Sequence, residues 1–215
     1  MGGKREEQSE DRKAQILRAA LDAFLDRGLI EATIADIRQA SGASIGSLYH
    51  HFGGKQGIAI ALYLSGAEPL HTAMLKALLA EDEPRSGIEA VVRVYLDWFA
   101  EHPRHGLFLF RAVDLGFLET PDERIARQER SFMSAVHEWL RPHVISGRLR
   151  DLPKDIYVPL VIGPSRDFLR AWLTRGAPRP LFERALQEFP PFAWQAVRGR
   201  QESPDTSPAT EPSGA

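Results

Sequence analysis

Residues 32–55 read ATIADIRQASGASIGSLYHHFGGK: two short helical stretches joined by Ser41-Gly42-Ala43-Ser44 and closed by a Gly53-Gly54 pair. Thr33 stands ahead of Ile34 and Ile37 as a helix N-cap, with Asp36 at the reciprocal position of a capping box. Gly42 is placed to end that helix in the left-handed conformation. Ser44 caps the second stretch, which is expected to run to about Phe52. Two short helices at this spacing, with a glycine in the turn, fit a helix-turn-helix. In that motif the second helix enters the DNA major groove and its first residues approach base edges and phosphates. Close approach favours small residues, and Ser44, Gly46 and Ser47 are small. Their amides and hydroxyls, at a positive helix end, suit phosphate oxygens. Tyr49 and His51 add hydrogen-bond donors and Lys55 adds charge. The spacing alone fits equally well a surface turn anchored by Leu48 and Phe52 between two core helices.

The rest of the chain also reads as helix. Ile16, Leu17, Ala20, Leu21, Phe24 and Leu25 recur at helical spacing before a stop at Gly28. Lys55 opens a long helix through Leu79. Ile88 to Phe99 marks another that ends at His102-Pro103. Leu107 to Leu118 is apolar on almost every side and is expected to be buried all round. Pro121 should start a long amphipathic helix. Ile156 to Leu173 forms the next, with a kink expected at Gly163-Pro164, and Leu181 to Phe189 stops at Pro190-Pro191. No stretch alternates convincingly with period two, so the expected class is all-α. The organisation reads as a flexible N-terminal arm (1–10), a three-helix DNA-binding domain (11–54), a helical ligand-binding and dimerisation domain (55–198) and a Pro/Ser-rich disordered tail (199–215).

Composition narrows the function classes. The chain has 215 residues, 43% hydrophobic and 26% charged, with no cysteine, which excludes disulfides and thiolate metal sites. The longest apolar run, near Ile156 to Ile162, is too short to span a bilayer, and the polar N-terminus lacks a secretory signal, so a cytoplasmic protein without a membrane partner is expected. Residues 1–60 carry eight basic and eight acidic side chains, so any DNA-binding surface must be local. Gly54-Lys55 fails as a P-loop because Tyr49 and Gln56 occupy defining positions, and Gly163-Pro164-Ser165 lacks the second glycine of a nucleophile elbow. Glu101, His102 and His105 are read as solvated groups near a helix end rather than metal ligands. No cofactor and no enzymatic activity are expected.

Residues 11–60 resemble the DNA-binding domain of the tetracycline-repressor (TetR) family of bacterial transcription regulators. The matching elements are Ile16-Leu17, Ala19-Ala20, Phe24, Gly28, Ala32-Thr33-Ile34, Asp36-Ile37, Ser41 to Ser44, and Gly46 to Phe52 with Lys55. The resemblance implies an all-helical homodimer with a three-helix reading head and a ligand-binding body that pairs through its last two long helices. By position it implies a phosphate contact at Thr33 and at Lys55. It also implies base and phosphate contacts at Ser44, Gly46 and Ser47, and contacts at Tyr49, His50 and His51. Ile45 departs from a position that is often polar in the family, leaving an apolar contact to a thymine methyl. Gly57 is an unusual helix residue, expected to loosen the start of the fourth helix.

The second half is rich in aromatics. A sensor pocket is expected around Trp98, Phe108, Arg111, Asp114, Phe117, Trp139 and Phe168, with Arg111 and Asp114 as polar groups in an apolar wall or as a structural pair. The expected function is a regulator released from a palindromic operator in double-stranded DNA by a small, largely apolar effector. The alternative is a constitutive or architectural DNA-binding protein without a ligand.

Overall fold

A computed structural model describes residues 2–116, 122–176 and 178–199, with side chains from Glu6 onward. Among them the chain forms α1 (Gly2–Arg27), α2 (Ile34–Ser41), α3 (Ile45–Phe52), α4 (Lys55–Leu79), α5 (Pro84–Glu101), α6 (Pro103–Asp114), α7 (Glu123–Ile145), α8 (Lys154–Arg175) and α9 (Arg179–Val197). The described residues contain no strand, only an isolated bridge between Leu149 and Arg198. The fold is all-α, as the sequence predicts.

The head is built from α1 to α3. Ile16, Ala20, Phe24, Ile37 and Leu48 are buried together in its core with Ile58 and Leu62 of α4. α4 therefore belongs to both halves of the molecule, packing against α1 and α3 at one end and against α5, α6 and α7 along its length. That position explains its composition. By length and composition it is apolar enough to cross a bilayer, unlike the run near Ile156 singled out from sequence. In the fold its apolar faces meet neighbouring helices, with Leu62, Ala67, Leu70 and Leu78 buried.

Three expectations are corrected. The residues read as a flexible arm are helical from Gly2, continuous with α1. Glu, Gln, Lys and Arg there are good helix formers, and Lys13 pairs with Glu10 one turn back. α6 is not buried all round, because Val113 and the adjoining Leu115 are 58% and 50% exposed. One face, with Phe108, Leu109 and Ala112, packs inward while the other meets solvent. α7 starts at Glu123, capped by the Asp122 side chain, which accepts from the Arg124 amide.

The third correction is α9, which passes through Pro190-Pro191 to Val197. A proline at position 190 cannot donate to the carbonyl of Leu186 four residues earlier. Arg93 of α5 supplies the missing donor, its Nη1 reaching the Leu186 oxygen at 3.1 Å. Pro190, Ala193 and Val197 are buried beyond it, so packing and a borrowed hydrogen bond offset the break. Phe117, the start expected at Pro121 and the tail from residue 200 lie outside the described residues.

Candidate nucleic-acid interface and effector cavity

The helix-turn-helix is defined by its caps. The Thr33 hydroxyl oxygen accepts from the Asp36 amide (3.2 Å), and the Asp36 carboxylate accepts from the Thr33 amide (2.9 Å) and hydroxyl (2.8 Å). These bonds, with Arg27 nearby, hold the Asp36 pKa below the usual carboxylate value. Both Thr33 donors are thus committed to Asp36. What this corner still offers an anion is the pair of amides at Ile34 and Ala35, ahead of the first intrahelical bond. Gly42 ends α2 at φ 62°, and Ser44 caps α3 by accepting from the Ser47 amide at 3.1 Å. The Ile45 and Gly46 amides stay open in the same way.

Leu48 is fully buried as the anchor of α3, and its opposite face is bare. Ile45 and Tyr49 are 54% and 53% exposed, with Ser44, Gly46 and His50 exposed beside them and Ser47, His51 and Lys55 half-buried. Gly46 is informative, because a Cβ there would meet nothing closer than the Ser44 hydroxyl at 3.9 Å. Packing does not require glycine at this position, and its absent side chain leaves this face open to close approach from outside the chain. The His50 and His51 rings meet edge to face, with centroids 5.1 Å apart. Desolvation first, then the His50 and Lys13 charges, lowers the His51 pKa, leaving it a neutral donor at neutral pH. Lys55 directs its Nζ at the Ile30 carbonyl (2.5 Å), tying α4 to the loop before α2 while keeping two donors unused.

A wide recess of about 840 Å3 runs between α1 and the end of α3, lined by Arg12, Gln15 and Arg18 together with His50 and His51. Arg12, Gln15 and Arg18 are not among the DNA contacts expected from sequence. Their spacing, three residues apart on one helix face, was the available signal.

Of the seven residues expected to line a sensor pocket, the six described ones are each held by contacts of their own. Phe108 stacks on Phe24 of the head (5.9 Å), and Trp98 stacks on His102 (4.7 Å), whose Nδ1–H donates to the Trp98 carbonyl at 2.9 Å. Trp139 lies over Gly87 and donates to the Glu81 carbonyl at 3.3 Å, while Phe168 meets Phe189. Arg111 and Asp114 do not pair with each other. Arg111 donates to the Leu25 carbonyl of α1 at 2.9 Å, and Asp114 takes Arg170 of α8 at 2.6 Å. Arg104 pairs with Asp22 at 2.6 Å, so α6 grips α1 through two arginines.

An apolar cavity lies elsewhere, between α4, α5, α7 and α8. Met74, Leu78, Val91, Val136, Leu140 and Val161 are among its walls, and it encloses about 50 Å3. Its lining is mainly aliphatic, with Phe132 and Tyr157 as the aromatic members, and includes none of the six described residues expected around a sensor pocket. Among the described residues no three His, Cys, Asp or Glu side chains gather in a way that would hold a metal ion.

A capped, small-residue recognition helix on a three-helix head, carried by a helical body, defines a helix-turn-helix protein. Residues 16–62 match the model of the bacterial regulatory proteins, tetR family. The chain is similar to the HTH-type transcriptional regulator TtgR of Pseudomonas putida, at 36% identity over 77 residues, 36% of each chain. It therefore matches about a third of that relative's length. HTH-type transcriptional regulator SrpR, also of Pseudomonas putida, is 29% identical over 179 residues, 82% of this chain and 80% of that one. In fold, a TetR family transcription regulator from Marinobacter aquaeolei VT8 superposes with a TM-score of 0.73 at 18% identity, covering 92% of this chain and all of the other. Residues 16–62 thus carry the DNA-binding domain of the tetR family of bacterial regulatory proteins, and the chain as a whole shares the fold of solved TetR-family regulators.

Proposed function

We propose that the protein is a cytoplasmic, ligand-responsive regulator of transcription: a homodimeric repressor that leaves a palindromic operator when a small apolar molecule enters its body. The observation that carries the reading is the start of α3, where the Ile45 and Gly46 amides are open, the Ser44 and Ser47 hydroxyls can still donate, and the Ile45 side chain is exposed. Ile45 is suited to a thymine methyl, and Ser44, Gly46 and Ser47 to base edges and phosphates. Thr33 marks the phosphate site at the α2 start, and Tyr49, His50, His51 and Lys55 continue the track. Arg12 and Arg18 extend it along α1, supplying local charge in a head with no net excess.

The body supplies the response. The cavity is far below the few hundred Å3 a ligand usually fills, so the structure fits a closed state that an effector must part. Its walls include Met74 and Leu78 on α4. From there α4 runs about 28 Å to Lys55 behind the recognition helix, at 1.5 Å per residue. An effector that binds the parted state more tightly shifts the population toward it, and α4 carries the change to the head. Arg104 and Arg111 hold α6 to α1, so the head follows the body on two sides.

Two measurements test the DNA assignment. Fragments selected from genomic DNA should contain a palindrome with half-site centres about 10 base pairs apart or a multiple of that; recovery without sequence preference would refute operator recognition. Lys55→Ala should weaken binding to all sequences alike and reduce the slope of log affinity against log salt by about one. An unchanged slope in the folded variant would leave Lys55 only its bond to Ile30.

A further inference from the structure

Resting on the reading of the apolar cavity as the effector site, the neighbouring side chains say what polar group the effector carries. Leu75 and Phe132 belong both to that cavity and to a solvent-open recess of about 580 Å3 between α4 and α7. Phe132 stacks flat on His71, with ring centroids 4.0 Å apart, so this pair forms the partition between the two spaces. Gln128 lines the recess and directs its Nε2 at Nδ1 of His71, 2.8 Å away. An amide nitrogen only donates, so Nδ1 is the acceptor and the imidazole proton sits on Nε2. Burial pushes the His71 pKa down to about 4, which keeps the ring neutral and this polarity fixed at neutral pH.

The consequence falls on the other end of the amide. Gln128 Oε1 is buried without a hydrogen-bond partner, and a buried unsatisfied acceptor is costly until a donor reaches it. The recess also holds Glu68, Arg124 and Arg127, of which Arg124 already pairs with Asp122 at 2.9 Å. With Asp122 counted, the two guanidiniums are matched by two carboxylates, so the recess offers no net charge to recruit an ionic group. A carboxylate has no proton to give Oε1. A neutral hydroxyl satisfies both conditions.

We propose that Gln128 Oε1 is the polar reading point of the effector site, accepting a hydrogen bond from the hydroxyl of a neutral alcohol whose hydrocarbon part passes Phe132 into the apolar cavity. The ligand class is thus a hydroxylated hydrocarbon.

The test titrates the full-length protein with 1-decanol, its methyl ether 1-methoxydecane and decanoate, read by tryptophan fluorescence, and repeats each with the selected operator bound. Decanol should bind about tenfold more tightly than the ether, the worth of one relieved acceptor, and more tightly than decanoate. Gln128→Met, close in shape, should remove that preference while leaving ether binding unchanged. Equal binding of decanol and ether to the unmodified protein, or a preference for decanoate, overturns the hydroxyl assignment and leaves the cavity in place. Binding of no probe overturns the assignment and the cavity together. Selective decanol binding with the operator complex intact keeps the hydroxyl subsite and refutes the effector reading.

Discussion

Gly57→Ala should lower the melting temperature by roughly 5–10 °C and weaken operator binding by about a hundredfold. Propensity argues for the opposite, since glycine in an exposed helix costs about 1 kcal/mol relative to alanine. The Gly53-Gly54 turn, with φ values of 74° and 133°, folds α4 back onto the end of α3. As a result a Cβ on Gly57 would overlap the backbone carbonyl of Phe52, the last residue of the recognition helix. Backbone cannot step aside as a side-chain tip can. Overpacking of this kind costs about 2–3 kcal/mol, which in a chain of this size is a shift of several degrees. Relieving the overlap moves α3 relative to α4, and losing two groove contacts at about 1–3 kcal/mol each accounts for the affinity. The glycine that sequence alone marks as a weak helix start is thus required by close approach. Thermal melts and operator titrations decide it: an alanine variant that is more stable and binds normally refutes the packing argument.

The second large effect is expected at the pairing surface. Leu181 and Phe192 are 48% and 55% exposed on α9, and Ile156 on α8 is exposed as well. Positions 181 and 192 are about three turns apart on the helix and share a face. Apolar side chains on the last two helices are what a two-fold four-helix interface would bury. Phe192→Asp places a charge in that interface at no cost to the protomer, whose own core excludes the residue. Sedimentation at micromolar concentration should show monomers. Because the two heads would then bind independently, operator affinity should fall by about 10²–10⁴. A Phe192→Asp protein that stays dimeric, or that binds operator undiminished as a monomer, rules out this face.

The features that were legible in the sequence are local ones. The Thr33–Asp36 box, the Gly42 stop, the Ser44 cap and the Lys55–Leu79 span follow from residues within a turn of one another, where capping chemistry is decisive. What sequence missed depends on partners far along the chain. Pro190 reads as a stop because Arg93, which completes the ladder there, lies 93 residues from Leu186. Arg111 and Asp114 look like a pair because they are three apart, yet each is satisfied by a different helix. The aromatics expected around a pocket are, where described, held in separate contacts, and the apolar cavity between α4, α5, α7 and α8 is bounded mainly by Met, Leu and Val. Helical periodicity says which face turns inward but not which neighbour it meets.

The Arg93 bridge also bears on how the body comes apart. An ordinary helix end frays alone, since its hydrogen bonds are its own. In α9 the Leu186 carbonyl is held by a side chain of α5, and the double proline leaves the ladder no donor of its own to fall back on. The last turns of α9 and the middle of α5 are therefore sewn into one unit of opening. An effector that parts the body must either leave this seam closed and hinge around it, or release both helices together.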